Sequence, residues 1–222
     1  YPRGEGNRLL DPPPPVSALP AGPELTRDFF PSLREWHLTS SLLGPRDTLA
    51  LDSALANSPW ADRVRETVAF ADYLASDCEC ELAEVEYKRA TFLLGKLPSN
   101  ATWDIRVGDC HFARGEWDIS GRVYERILTE GRASQTEQRF SQLMLGISLF
   151  NRGDYTGCRK ALSASPCVQA ASIPGAGISP LSQLEPEEST YCFGVRSLLA
   201  LCEMGRGDWA SARRVLNGFI QD

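Results

Sequence analysis

Long apolar runs are missing from this chain of 222 residues, and none approaches the ~20 residues a helix needs to span a bilayer. Histidine is nearly absent as well. With His37 and His111 alone, a Ser-His-Asp or Cys-His constellation has few ways to form. No glycine-rich phosphate loop follows a strand pattern, no nucleophile-elbow serine is found, and no C-x-x-C-H run supports covalent haem. Catalysis therefore has no visible seat. The chain is expected to be no enzyme and to hold no cofactor, no metal and no catalytic residue. Basic clusters are also lacking: the formal net charge is −6, and the most basic stretch, Arg206 to Arg214, is interrupted by Asp208. Phosphate binding needs a basic face, which removes nucleic acid from the expected partners.

Against these absences stands a phrase repeated three times: Arg114-Gly115-Glu116-Trp117, Arg152-Gly153-Asp154-Tyr155 and Arg206-Gly207-Asp208-Trp209. Three positions beyond each aromatic lies a small residue (Ser120, Cys158, Ala212), and four further on a large one (Tyr124, Leu162, Leu216). The copies are 38 and 54 residues apart, a recurrence that marks one supersecondary unit used several times. Physically the phrase reads as a turn between antiparallel helices. Glycine takes the left-handed conformation that ends the first helix, and the acid sits at the N-terminus of the second. Two copies spell Arg-Gly-Asp, an integrin-ligand tripeptide. The other reads Arg-Gly-Glu at the same positions, as a repeat turn allows, so the turn reading takes precedence.

The chain divides into three parts by composition. Residues 1–25 form a polar arm with the run Pro12 to Pro15, which stays extended unless a neighbour contacts it. Residues 26–59 are read as N-terminal helices, the first opened by a capping box at Ser32-x-x-Glu35 and carrying Trp36. Residues 60–222 hold the helical repeats, with pairs expected at 101–113 and 116–129, 136–151 and 154–164, and 187–204 and 208–220. An inserted loop, 166–186, rich in Pro, Gly, Ser and Ala, separates the last two pairs.

Cysteine is plentiful at seven, an odd number that leaves one thiol over unless a partner supplies another. Cys167 and Cys192 flank the insertion and are the expected disulfide, closing a loop of ~25 residues at a gain of roughly 3 kcal/mol. Cys110, Cys158 and Cys202 fall on core-facing positions, where a small apolar thiol needs no special role. Cys78-x-Cys80 offers a metal or thiol-redox alternative. Its spacing is shorter than the usual zinc or thioredoxin motif, and the acids Asp77, Glu79 and Glu81 blunt reactivity. Cysteine usage and the sequon Asn100-Ala101-Thr102 favour an extracytoplasmic protein, with a cytoplasmic one as the alternative. The chain opens with Tyr1 and shows no signal peptide, which fits a removed targeting segment or a start part-way along a longer chain.

The repeated phrases resemble the tetratricopeptide (TPR) family, whose signature runs W-x2-L-G-x2-Y, then A-x3-F, then P. Leu145-Gly146 followed by Leu149 matches best, with weaker copies at Val107-Gly108 and Leu199-Ala200. An earlier copy runs through Ala71, Leu74, Ala83, Tyr87 and Ala90, with Cys78 in place of the turn glycine. The closing Pro is absent, and the spacings exceed the family's repeat of about 34 residues, so insertions are expected between repeats. The resemblance implies an all-α fold: three or four TPR-like antiparallel hairpins after N-terminal helices and the extended arm. It further implies a non-catalytic interaction scaffold, an accessory or structural subunit of a multiprotein assembly in a bacterial envelope or periplasm. Its partners would be other protein subunits, through which it could associate with a membrane. The alternative is a transient adaptor that takes a peptide in the groove. The family's groove positions fall on Arg65, Asp72, Arg106, Asp109, Leu143 and Ile147. Trp36 and Trp103 are further candidate anchors, while Trp60, Trp117 and Trp209 read as core.

Overall fold

The computed structural model describes Leu55 and residues 58–95, 101–169 and 186–220. The arm at 1–25, the capping box at Ser32, Trp36 and the middle of the insertion lie outside the described residues. Every regular element among those described is an α-helix, and none is long and apolar enough to cross a membrane. Two compact units are present, one ending at Leu145 and the other beginning at Gly146.

The first unit contains helices α1 (Ala61–Ser76), α2 (Cys80–Leu94), α3 (Thr102–Ala113) and α4 (Trp117–Glu130). It also holds the first turns of α5 (Gln135–Asn151), within which the boundary falls. Val64, Val68, Ala71 and Leu74 recur at helical spacing on α1 and are buried, as are Ala83, Tyr87 and Ala90 on α2. Helices α3 and α4 repeat the arrangement with Ile105, Val107 and Cys110 beside Val123, Tyr124 and Ile127. The start of α5 is a reciprocal cap. The Ser134 hydroxyl accepts from the Glu137 amide at 3.3 Å, and the Glu137 carboxylate accepts from the Ser134 amide at 2.7 Å. Its other oxygen accepts from the Ala101 amide at 3.0 Å and the Thr102 hydroxyl at 3.2 Å, so this buried carboxylate also ties down the start of α3.

In the second unit, the last turns of α5 lead to α6 (Tyr155–Ser163), α7 (Pro166–Gln169), α8 (Pro186–Gly205) and α9 (Trp209–Ile220). The short helix α7 revises the reading of 166–186 as a loop throughout. Pro166 suits a first helical position, and the Ser165 hydroxyl accepts from the Cys167 amide at 3.3 Å.

One turn geometry joins α1 to α2, α3 to α4, α5 to α6 and α8 to α9. In each, a residue with positive φ donates to the carbonyl three back, and its successor donates to the carbonyl five back: Gly115 to Phe112 and Glu116 to His111, for example, both at 3.0 Å. The positive-φ residue is Gly115, Gly153 or Gly207 in three turns and Cys78, at φ 62, in the fourth. A side chain in this conformation costs roughly 1–2 kcal/mol, and the same two hydrogen bonds form there regardless.

Three disulfides cross-link the helices. Cys80–Cys110 joins α2 to α3, Cys158–Cys202 joins α6 to α8, and Cys167–Cys192 joins α7 to α8. The expectation that Cys110, Cys158 and Cys202 are isolated core thiols is therefore corrected. Each faces a second cysteine across a helix contact, which a register within one helix does not reveal. Cys80 is bonded to Cys110 rather than to Cys78, which is the one free thiol. Disulfides of this kind form and persist in oxidising compartments.

Candidate functional site

Between α2 and the α3–α4 pair lies a cleft of about 250 Å³, floored by Tyr87, Trp103 and Val107. The rings of Tyr87 and Trp103 stack with centroids 5.7 Å apart and planes 17° from parallel. Beneath them the Tyr87 hydroxyl donates to Asp72 at 2.5 Å, and Arg106 pairs with the same carboxylate. Burial, followed by the charge and hydrogen bond of Asp72, pushes the Tyr87 phenol well above its ordinary range. Burial opposes the charge of Arg106, but Asp72 and Tyr87 outweigh it and hold the guanidinium above its ordinary value. The floor is thus locked from below.

The rim is charged and internally satisfied. Asp104 accepts from Arg126 at 2.9 Å and from Arg132 at 3.0 Å, Arg132 reaches Glu130 at 2.5 Å, and Lys88 pairs with Glu84 at 2.9 Å. Trp103 stays partly exposed among these groups. A cleft of this volume falls below the roughly 300–1,000 Å³ of small-molecule pockets. It suits a side chain of a partner protein better than a whole cofactor. A partly exposed tryptophan ringed by polar groups is a candidate interface anchor.

A second cluster sits where α2 meets the α3–α4 turn. The ligand-capable atoms of Glu81, His111 and Glu116 all lie within 4.8 Å of one another. His111 is buried, with Nδ1 2.5 Å from a Glu116 oxygen. Arg114 reaches Glu81 and Glu116 at 2.8 Å each. The Glu81 carboxyl is held below its usual range by a backbone amide hydrogen bond and by Arg114. A guanidinium bridging both carboxylates already supplies the positive charge that a metal would bring, so the cluster works as an ion-pair clasp between α2 and the α3–α4 turn.

Of the candidate groove residues, Asp72 and Arg106 come together, while Arg65 and Asp109 pair with other residues. Arg65 pairs locally with Asp62 at 3.1 Å. Asp72 and Arg106 bind each other, and Asp109 accepts from the Tyr124 hydroxyl at 2.5 Å. Leu143 and Ile147 are buried, which corrects their reading as groove-lining, since a partner cannot touch them there. Trp60 and Trp209 are more than half exposed, against the expectation that they are core, while Trp117 packs edge-on against Phe112. Sequence reasoning missed Tyr87 and Tyr124 as partners of Asp72 and Asp109. The available signal was a shared interval of 37 residues for both the tyrosines and the aspartates.

No family model, curated protein or solved structure matches this chain.

Proposed function

We propose that the chain is a non-catalytic interaction scaffold built from TPR-like hairpins, serving as an accessory or structural subunit of a larger assembly in an oxidising, extracytoplasmic compartment such as a bacterial periplasm. The observation that carries this reading is the Trp103 cleft. It offers an apolar floor fixed by Tyr87, Asp72 and Arg106, with a rim that satisfies its own charges and leaves the indole partly open. Four turns of one geometry support the repeat reading, and three disulfides support the compartment. The groove-adaptor alternative draws less support, because Arg106 and Asp72 are committed to each other.

Gentle native purification of the full chain, followed by mass spectrometry of what stays bound, tests the proposal. Partners are expected in a fixed ratio. Trp103→Ala is expected to lose them while keeping its helical circular dichroism, since removing an anchor worth about 2 kcal/mol weakens binding roughly 30-fold. Retention of the same partners at the same ratio by Trp103→Ala counts against the cleft as the contact.

A further inference from the structure

The α1–α2 turn brings together three cysteines. Cys78 is exposed and free, and Cys80, two residues on, is bonded to Cys110 of α3. Between the two, Glu79 has φ −88° and ψ 63°, an inverse γ-turn conformation that folds its neighbours towards each other. The fold holds the Cys80 sulfur 3.5 Å from the Cys78 carbonyl oxygen. Arg114, which bridges Glu81 and Glu116 at the end of α3, belongs to the ion-pair clasp beside this bridge. A thiol therefore stands where the other three turns carry glycine, two residues along the chain from the buried Cys80, whose disulfide joins two helical pairs.

We propose that Cys78, Cys80 and Cys110 form a thiol–disulfide exchange site that ties and unties α2 from α3. The Cys78 thiolate attacks the Cys80 sulfur. A Cys78–Cys80 bond forms, the Cys80–Cys110 bond breaks, and Cys110 leaves as a thiolate. Cys110 then takes up a proton equivalent to the one Cys78 released. One disulfide and one thiol stand on each side of the step, so no outside oxidant or reductant enters. After exchange, the Arg114–Glu81 pair remains between α2 and the end of α3, and Arg106–Asp72 between α3 and α1, without the covalent tie. The inference does not depend on the scaffold reading, because it concerns sulfur chemistry within the chain. The other bridges serve as internal controls for attack by glutathione, since no free thiol of the chain itself remains once Cys78 is removed.

Mapping the disulfides of the full chain in a glutathione buffer, with acid quench, alkylation and trypsin, tests the exchange. Cys78 and Cys80 fall on one tryptic peptide, residues 66–88, and Cys110 on another, 107–114. The expected result is a population in which the first peptide is internally bonded and Cys110 is alkylated. In Cys110→Ser, with oxidised glutathione in the buffer taking the two electrons and two protons as it becomes two glutathione thiols, the internal Cys78–Cys80 bond becomes the dominant form. Finding both thiols alkylated in that variant while Cys158–Cys202 stays intact would overturn the proposal. Should Cys110→Ser fail to fold, Cys78→Ser decides. It is expected to slow alkylation of Cys110 by roughly tenfold or more relative to the unaltered chain. Equal rates, or a dimer joined through Cys78 in place of exchange, would sink the idea.

Discussion

In the unit ending at Leu145, the residue six positions before each turn is an aspartate, Asp72 or Asp109. The residue nine positions after the turn is a tyrosine, Tyr87 or Tyr124, and its hydroxyl donates to that aspartate at 2.5 Å. In the unit beginning at Gly146, the same positions hold Ile147 with Leu162 and Leu201 with Leu216. Turn geometry is unchanged between the two regions, while these positions switch from polar to apolar together, with Ile147 and Leu162 buried and Leu216 of the last hairpin exposed. The difference teaches that the backbone turn defines this repeat and that the interior tolerates either chemistry when both members change together. A lone tyrosine opposite isoleucine would bury a hydroxyl without a partner, at a cost of about 1–3 kcal/mol.

The two units also differ in covalent reinforcement. One bridge, spanning 30 residues, lies in the first unit, and two, spanning 44 and 25, lie in the second. In the chain-entropy model each contributes roughly 3–4 kcal/mol, with less than the full sum for the second unit because one loop is nested inside the other. The largest expected effect follows from this. Full reduction at neutral pH should abolish hydrogen-exchange protection in α6, α8 and α9 while α1–α4 keep a measurable share of theirs. Equal loss in both units would break the comparison.

Much of the fold was legible. The glycine-acid-aromatic phrases marked three of the four turns, and helical periodicity marked the pairs around them. The fourth turn was harder because Cys78 stands where glycine is expected, and only backbone geometry reveals that it adopts the same left-handed conformation. The site was less legible. The Asp72–Tyr87 bond and the Arg126–Asp104–Arg132 rim join residues from different helices and the α4–α5 connection, and no spacing within one helix encodes such contacts. The reciprocal cap of Ser134 and Glu137, and the reach of Glu137 to Ala101, came from the folded chain alone. Cys110 and Cys202 occupy one register position, five residues before the turn glycine, and each bonds to a cysteine on a preceding helix. That correspondence was present in the sequence and needed the folded chain to give it meaning.

A smaller effect sharpens the contrast between the two interiors. Gly108 and Gly146 occupy the same register, seven residues before their turns. A Cβ on Gly108 would meet the Tyr124 ring at 2.9 Å, and one on Gly146 would meet the Leu162 Cδ2 at 2.8 Å. The tyrosine ring is rigid and held by Asp109, whereas a leucine methyl can turn aside. Gly108→Ala is expected to destabilise by about 1–2 kcal/mol, net of the helix propensity it gains. Gly146→Ala should cost less than Gly108→Ala but not zero, because its Cβ also meets Leu162 Cγ and the buried Leu198 Cδ2 at 3.1 Å. Urea unfolding of both variants checks this, and a larger loss at Gly146 would show that the apolar pair is the stiffer one.

The smallest effect is a pH dependence specific to the polar pair. Burial and Asp72 raise the folded pKa of Tyr87 above the unfolded value of about 10. Below that value both states keep the phenolic proton and the stability from the pair is complete. As pH rises past about 10, the unfolded chain loses the proton while the folded chain retains it, so stability falls by at most about 1.4 kcal/mol per pH unit. Arg106, held above its own ordinary value, stays charged through this window and keeps its bond to Asp72. Thermal midpoints of Cys78→Ser, a background free of alkaline thiol exchange, should therefore decline from about pH 10 more steeply than those of the Cys78→Ser, Tyr87→Phe double variant. The two curves should approach each other as pH rises, because the phenylalanine chain has no proton to lose. If they stay parallel, the phenol at this position titrates alike in both states, and the polar pair has no stabilising preference for its protonated form.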